Sequence, residues 1–182
     1  MTGRVAVFLR GLNVGGHRVK MDRLRAILAD LGCDDPRTLQ AAGNVVLDDP
    51  PGDPAAVVRR IEAGLEEALG YPVPAFLRTM AELEGVLHEA PVEPGELDGP
   101  DHAHYVLLLT DPVDAEVRAR FDPLDSAQDS FRYGPREVHW VSRGKMSESP
   151  LFGSAFDRAT RGLRHTMRNA TTLRRIVERF GG

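Results

Sequence analysis

Residues 4–10 read RVAVFLR, a short apolar run rich in β-branched side chains that stops at Gly11. An apolar run of this length followed by a glycine predicts a β-strand. After it, apolar residues recur at intervals of three and four up to Gly32, which predicts an amphipathic helix. These residues are Met21, Leu24, Ile27, Leu28 and Leu31.

Two further strands, a second helix and a fourth strand follow. Residues 37–40 and 44–47 are strand candidates on either side of a glycine. Residues 53–70 hold a capping aspartate, a proline in the first turn, an apolar stripe and a closing glycine, which predict a helix. Residues 73–78 are the next strand candidate. The order β-α-β-β-α-β is that of the ferredoxin-like unit.

The same order of elements recurs further along the chain. Strands are predicted at residues 105–109, 130–132, 138–141 and 163–167. The first two of these strands are joined by a helix that starts at Asp111-Pro112, and the last two by one that starts at Ser149-Pro150 and carries Phe152. Residues 172–180 add a terminal helix with one apolar face.

These patterns predict an α+β protein of two ferredoxin-like halves with antiparallel sheets and a C-terminal helix. The N-terminal half is residues 1–89, and Thr79 and Glu82 have the spacing of a capping box on a short helix at its end. A linker rich in proline, glycine and acidic residues follows at 90–103. The C-terminal half is residues 104–182.

Composition excludes several classes of protein. The chain has 182 residues, 42% hydrophobic and 27% charged, so it can bury a core and is not disordered. No run approaches the roughly 18 apolar residues of a membrane span, and no signal peptide is recognisable, so we expect a cytoplasmic protein without a membrane partner. Cys33 is the only cysteine, which fits a reducing compartment.

Charge is unevenly distributed along the chain. The formal net charge of −4 gives no general reason to expect nucleic acid as a partner. Residues 160–182, however, hold six arginines and one glutamate, a local charge of +5. A solvated basic helix explains this segment, and nucleic-acid binding is the alternative.

Lysine and asparagine are scarce, and their positions suggest a binding site. Only two of the 23 basic residues are lysines, and the chain has three asparagines. The lysines lie in or after glycine-bearing loops, and each asparagine adjoins a predicted strand end or a loop. Arginine and lysine in such loops can bind carboxylate or phosphate. The candidate ligand-binding residues are Arg10, Asn13, Gly15, Gly16, Lys20, Asn44, Lys145, Arg168 and Asn169.

The predicted topology indicates which candidates meet. In a β-α-β-β-α-β sheet the third strand runs antiparallel beside the first, so Asn44 should lie near residues 10–13. The loop 11–20 also delivers backbone N–H groups to a helix start, where an anion is favoured. In the second half the same rule gathers Arg143, Lys145, residues 168–169 and His104.

A purely structural explanation exists for the same residues. Asn13 and Asn44 can satisfy turn backbone, and Gly15-Gly16 can serve only to permit positive φ. Asn169 can serve as the cap of the last helix. Chance clustering of such small numbers is a further alternative.

Known catalytic and metal-binding motifs are absent from the sequence. The glycines form neither a dinucleotide-binding fingerprint nor a phosphate-binding P-loop. His102 and His104 lie near two aspartates, but the alternation of strand side chains argues against a metal site, and we expect no metal. Glu137, His139 and Asp157 could do acid-base chemistry, but nothing in the sequence pairs them. No catalytic residue or cofactor is therefore assigned.

The segment FLRGLNVGG at residues 8–16 resembles the L-R-G-I-N-V-G-G opening of the bacterial domain-of-unknown-function family 1697. Weaker matches follow in the same order over nearly the whole chain: residues 21–31, 37–38, 43–46 and 78–79, Lys145, and TMRN at 166–169. The resemblance implies an α+β protein of this size and brings no activity, cofactor or catalytic residue. The chain departs from the family at Ala41-Ala42, where a polar pair is usual, and at Ala170, where tryptophan is usual.

Three functions remain open at this point. The first is a small anionic or phosphorylated ligand bound at the glycine-loop clusters, whether or not the protein is an enzyme. The second is RNA binding, suggested by the +5 segment and by a fold shared with RNA-recognition motifs, and not favoured because Phe8 is the only aromatic residue on the first strand and 44–47 has none. Tyr105 and Trp140 in the second half are suggestive but lack the basic-glycine-aromatic consensus of those motifs. The third is a noncatalytic interaction module that docks through the terminal helix on a partner or a second copy. The oligomeric state is open in all three.

Overall fold

The computed structural model describes residues 3–39, 43–88, 92–93, 95–99, 101–145, 148–151 and 153–181. Clustering of the backbone divides the chain into two compact units, Met1–Leu83 with Ile176–Gly182, and Glu84–Arg175. The predicted bounds 1–89, 90–103 and 104–182 stay a prediction. Ala41, Ala42 and Phe152, on which parts of the sequence analysis rest, lie outside the described residues.

The first unit contains β1 (Val5–Leu9), α1 (Met21–Asp30), β2 (Arg37–Leu39), β3 (Asn44–Leu47), α2 (Pro54–Leu69), β4 (Ala75–Thr79) and the start of α3 (Met80–His88). Its sheet has the order β2-β3-β1-β4, with all neighbours antiparallel. This is the β-α-β-β-α-β arrangement that the sequence predicts.

The second unit contains β5 (His102–Leu109), α4 (Ala115–Phe121), β6 (Asp129–Tyr133), β7 (Glu137–Arg143), α5 (Ser154–Thr160), β8 (His165–Asn169) and most of α6 (Ala170–Phe180). Its sheet has the corresponding antiparallel order β6-β7-β5-β8. The prediction of two α+β halves and a C-terminal helix is confirmed.

Local sequence signals explain several element ends. Asp53 caps α2 by accepting from the N–H of Ala56 at 2.7 Å, and Gly70 ends this helix in the left-handed conformation. Thr79 and Glu82 form the predicted capping box, with reciprocal bonds of 3.1 and 2.7 Å between side chain and backbone N–H.

The predicted start of α4 at Asp111-Pro112 is wrong. The helix begins at Ala115, because Asp114 caps it by accepting from the N–H of Val117 at 2.8 Å. The N–H of Val113 instead donates to the carbonyl of Pro135, 2.8 Å away, which holds this residue against the turn between β6 and β7.

The predicted start of α5 at Ser149-Pro150 is also wrong. The Ser149 hydroxyl donates to Asp129 at 2.7 Å instead of capping a helix, and α5 begins only after Gly153, at φ 101°. The last strand is displaced from 163–167 to His165–Asn169, and α6 begins at Ala170 instead of residue 172. Asn169 accepts from the N–H of Thr171 at 2.8 Å, which favours the earlier helix start.

Each unit has its own apolar core between one face of its sheet and its helices. In the first unit, alternate residues of β1, β3 and β4 pack with α1 and α2. In the second unit, alternate residues of β5, β6 and β7 pack with α4 and α5. Since strand side chains alternate, the intervening residues lie on the opposite face of each sheet. On the opposite face of the second sheet lie the apolar residues Val106, Leu108 and Val141 and the polar residues Ser130, Arg132, Glu137, His139, His104, Thr166 and Arg168.

Candidate functional site

The loop of residues 11–20, here called the glycine loop, is shaped by Asn13 and its glycines. The Asn13 side-chain oxygen accepts from the N–H of Val19 at 2.8 Å. Gly15 and Gly16 have φ angles of 62° and 88°, which side chains disfavour. These contacts agree with the structural explanation for Asn13 and the two glycines.

An aromatic contact joins the glycine loop to the segment after α2. The rings of His17 and Tyr71 stack with centroids 3.9 Å apart. The Tyr71 hydroxyl donates to the carbonyl of Leu12, 2.9 Å away. Tyr71, which is far from the loop in the sequence, thus contacts it through both its ring and its hydroxyl.

Exposed cationic side chains lie in and beside the glycine loop, which leads into α1. Arg10, Arg18 and Lys20 are exposed. Lys20 is the N-cap residue of α1, and its side chain makes no cap hydrogen bond. The one acidic residue in the first turn, Asp22, forms an ion pair with Arg25. The helix start therefore presents backbone N–H groups and positive charge together, which favours an anion.

Asn44 lies where the topology predicts. It is opposite Phe8 in the β1–β3 pair, two residues before Arg10, which confirms the predicted adjacency. Asn44 is buried, and its amide nitrogen donates to the carbonyl of Leu39, 3.2 Å away. Its amide thus joins β3 to β2 at the Leu39–Asn44 pair.

The predicted arrangement of strand ends in the second unit is likewise confirmed. Arg143 lies opposite His102, and Asn169 lies opposite Tyr105, so β7 and β8 both end beside the start of β5. Arg143 forms an ion pair with Glu96. Desolvation raises the pKa of Glu96, but the hydrogen bond to the Glu93 backbone and the charge of Arg143 outweigh it, so the pKa is lowered overall.

The second-unit candidates are occupied by local contacts. The Lys145 ammonium is exposed and lies 3.5 Å from the Glu148 carboxylate. Arg168 donates to the Thr166 hydroxyl and to the carbonyl of Met167, each at 2.8 Å, and burial lowers its pKa to about 10. Asn169 is engaged at the start of α6, as described above. Each of these three side chains therefore already has a partner close to it in the sequence.

A pair of histidines is buried on the opposite face of the second sheet. His104 Nε2 lies 2.9 Å from His139 Nδ1, and the two side chains are 3% and 2% exposed. Burial lowers the pKa of each to about 4, and for His104 the charges of His139 and Arg174 add to this effect. Both rings are therefore neutral at pH 7.

A second buried polar network lies on the helix-covered face of the same sheet. The Asp129 carboxylate accepts from the Trp140 indole N–H and from the Ser149 hydroxyl, both at 2.7 Å. Ser149 in turn accepts from the N–H of Leu151 at 3.1 Å. This network anchors the segment before α5 to strands β6 and β7.

The remaining candidates from the sequence have structural surroundings. Cys33 is buried, and desolvation raises the pKa of its thiol, so it is protonated at neutral pH. Within the described ranges, no three His, Cys, Asp or Glu side chains come together as a metal-ligand set. Every helix in the described part of the chain is too short or too polar to cross a bilayer.

Comparison with known protein families decides the identity of the chain. A family model described as a protein of unknown function, DUF1697, matches residues 1–139. The chain belongs to this family. No curated protein matches it. It is similar in structure to a conserved bacterial protein from Streptococcus pneumoniae, SP0830, with 21% identity, a TM-score of 0.77 and full coverage of both chains.

At this level of identity, the likeness establishes the fold of this DUF1697 member and no more. His104 and His139 are candidates from the sequence, but nothing in the sequence pairs them. Ser130 and Asp129 carry no functional signal in the sequence, and Ser149 is predicted only as a helix start. The signal for the histidine pair was present in the topology. Once β5 and β7 are antiparallel neighbours, residues 104 and 139 fall diagonally across the pair on the same face.

Proposed function

We propose that this DUF1697 protein is a cytoplasmic protein that binds a small anionic ligand, phosphorylated or carboxylated, at the glycine loop. The observation that carries the proposal is the exposure of Arg10, Arg18 and Lys20 in and beside the glycine loop, which leads into α1 at Lys20, an N-cap residue whose side chain makes no cap hydrogen bond. A buried, unpaired Cys33 agrees with a reducing compartment.

The chemistry of the loop suits an oxyanion. Arginine offers a planar fork of donors and lysine a compact charge, while the N–H groups of a helix start add fixed partial charge. In this proposal Arg10 and Lys20 contact the ligand, whereas Asn13, Gly15 and Gly16 shape the glycine loop and Asn44 joins β3 to β2. Lys145, Arg168 and Asn169 contribute less, because local contacts engage each of them.

Thermal-shift titration with inorganic phosphate, nucleotides and sugar phosphates tests the proposal. We expect an anion to raise the melting temperature of the wild type. Arg10→Ala and Lys20→Ala should each weaken binding about tenfold or more, since a charged hydrogen bond contributes about 1.5–3 kcal/mol.

The matched control is Arg59→Ala, which removes one positive charge from an exposed position on α2 of the same unit. Binding in this variant should stay near that of the wild type. Equal loss in Arg59→Ala and Lys20→Ala would reveal a response to net charge alone. Undiminished binding in both loop variants would refute the site.

The contacts do not favour RNA binding. RNA-recognition motifs of ferredoxin-like fold stack bases on exposed aromatic side chains of the central strands. Phe8 is buried, and Trp140 packs against the helices of the second unit. Neither ring offers a stacking surface to a base.

The interaction-module alternative needs an accessible apolar face on the terminal helix. In α6 the apolar residues Leu173, Ile176 and Phe180 are buried within the chain. Arg4 donates to the carbonyl of Phe180, and the Arg37 guanidinium lies 5.1 Å from the Phe180 ring centroid. These contacts use the face that a docking partner would require.

A further inference from the structure

A ring stack in the glycine loop leaves one aromatic face exposed. The imidazole of His17 lies on the Tyr71 ring with centroids 3.9 Å apart and an interplanar angle of 23°. The Tyr71 hydroxyl donates to the Leu12 carbonyl at 2.9 Å, so Tyr71 is held in place while His17 is exposed. Since Tyr71 covers only one face of the imidazole, the other face is open to a further planar ring.

The two glycines beside His17 leave space around its ring. A Cβ at Gly15 would lie 4.0 Å from His17 Cδ2, and a Cβ at Gly16 would meet nothing within 4 Å. The N–H of His17 donates to the carbonyl of Val14 at 3.1 Å, which brings these two residues together across the glycines. Val14 is 61% exposed, and in the described part of the chain it is the one large apolar side chain that is exposed. The loop therefore offers apolar surface as well as charge.

Positive charge lies close to the exposed ring. Arg18 is the next residue along the chain, and Lys20 is three residues from His17, at most about 11 Å between Cα atoms. Among the described residues neither Arg18 nor Lys20 forms an ion pair, whereas Arg25 and Arg37 of the same unit each pair with an aspartate. These two long cationic side chains can thus reach a phosphate that is carried one sugar away from a ring stacked on His17.

The exposed ring discriminates among the anions that the loop could bind. Inorganic phosphate and sugar phosphates have no planar ring, so they would leave the exposed face of His17 unused. A nucleobase stacks on an aromatic side chain through its π-face, whichever base it is. Single-stranded RNA is bound on several rings along a basic groove, whereas one exposed ring holds one base. The arrangement therefore fits a mononucleotide.

We propose that the ligand of the glycine loop is a nucleoside phosphate, with its base stacked on the exposed face of His17 and its phosphate bound by Arg18 and Lys20. This assignment rests on the anion site proposed above and names the class of its ligand. Tyr71 is a positioning residue, because it orients the imidazole from the face that the base does not contact.

Isothermal titration of the full chain with AMP, UMP and ribose 5-phosphate tests the assignment. We expect each nucleotide to bind about tenfold more tightly than the sugar phosphate, because base stacking adds to the phosphate contacts that all three share. His17→Ala should abolish this preference and leave the affinity for ribose 5-phosphate near that of the wild type. His17→Phe should keep the preference, since it retains a ring. His88→Ala removes an exposed histidine from α3 and is the matched control, with binding like that of the wild type.

The anion site and the nucleotide assignment fail in different ways. Equal affinities of the wild type for AMP and ribose 5-phosphate, both weakened in Lys20→Ala, would overturn the nucleotide assignment and leave the anion site standing. A preference for AMP that persists in His17→Ala would also overturn it. A single-stranded hexanucleotide that bound far more tightly than AMP would identify RNA as the ligand instead. Absence of binding by every one of these probes would refute both proposals.

Discussion

His104 Nε2 lies 2.9 Å from His139 Nδ1, across two neighbouring strands of the second sheet. Desolvation lowers the pKa of both imidazoles from 6.5 to about 4. Between these two pH values the folded protein keeps both rings neutral, whereas an exposed histidine would be protonated. We therefore expect this pair to make the second unit sensitive to acid, because the unfolded chain takes up protons that the folded chain excludes.

The free energy of unfolding should therefore fall as the pH drops from about 6.5 towards 4. Above the unfolded pKa of about 6.5 the neutral rings carry no penalty, and below it the unfolded state is favoured progressively. A pKa lowered from 6.5 to about 4 corresponds to about 3 kcal/mol for one ring. Urea unfolding at pH 7.5 and 4.5, followed by tryptophan fluorescence, measures the loss.

The double variant His104→Phe/His139→Phe is the control for this dependence. It replaces both partners of the hydrogen bond with apolar rings, which leaves neither nitrogen unpaired. The stability difference between pH 7.5 and 4.5 should shrink by several kcal/mol relative to the wild type. An unchanged difference would assign the acid sensitivity to other groups.

Much of the fold follows from local signals in the sequence. Asp53 and Gly70 mark both ends of α2, and the Thr79–Glu82 box marks the start of α3, because each satisfies helix N–H or C=O groups through nearby residues. The predicted starts of α4 and α5 failed where a distant group competes. The N–H of Val113 donates to the carbonyl of Pro135, and the Ser149 hydroxyl donates to the Asp129 carboxylate.

In the candidate site, too, some features were predictable from the sequence and others depend on contacts between distant residues. The adjacency of Asn44 to the end of β1 was predictable because antiparallel topology fixes it. The burial of His104 and Ser130 was not, since period-2 alternation does not say which polar positions are covered. From the sequence alone, both residues look like ordinary half-buried strand positions. Their burial is evident only once the pairing of the strands and the solvent exposure of each face are known.

The network of Asp129, Trp140 and Ser149 should be a major source of stability in the second unit. Asp129→Ala leaves the indole N–H of Trp140 and the Ser149 hydroxyl without their buried acceptor, so we expect a loss of about 3 kcal/mol. Ser149→Ala removes one bond to the carboxylate and should cost about 1.5–3 kcal/mol. Trp140 is the only tryptophan, so its fluorescence in urea reports this unit.

Ser154→Ala is the reference for these two variants, because Ser154 is exposed. We expect its midpoint in urea to lie within the error of the wild type. Equal midpoints for Ser149→Ala and Ser154→Ala would show that the Ser149–Asp129 bond contributes nothing measurable.

Phe180 should anchor the end of α6 to the first unit. Its ring is 5% exposed and lies under the Arg37 guanidinium, which also pairs with Asp48. Phe180→Ala removes this burial and the cation–π contact, for an expected loss of about 3 kcal/mol. Calorimetric melting measures it, with Glu178→Ala at an exposed position of the same helix as the control. A melting temperature equal in both variants would count against the anchor.

Gly43 and Gly16 test whether the start of β3 is sterically fixed. Both have positive φ, 69° and 88°, so alanine at either position costs about 1 kcal/mol of backbone strain. A Cβ at Gly43 would also lie 3.0 Å from Leu9 Cβ and 3.1 Å from the Leu9 carbonyl oxygen, whereas one at Gly16 meets nothing within 4 Å. Gly43→Ala should therefore be less stable than Gly16→Ala by a further 1–3 kcal/mol or so in urea unfolding. Equal losses would mean that the close approach of Gly43 to Leu9 places no steric constraint on the start of β3.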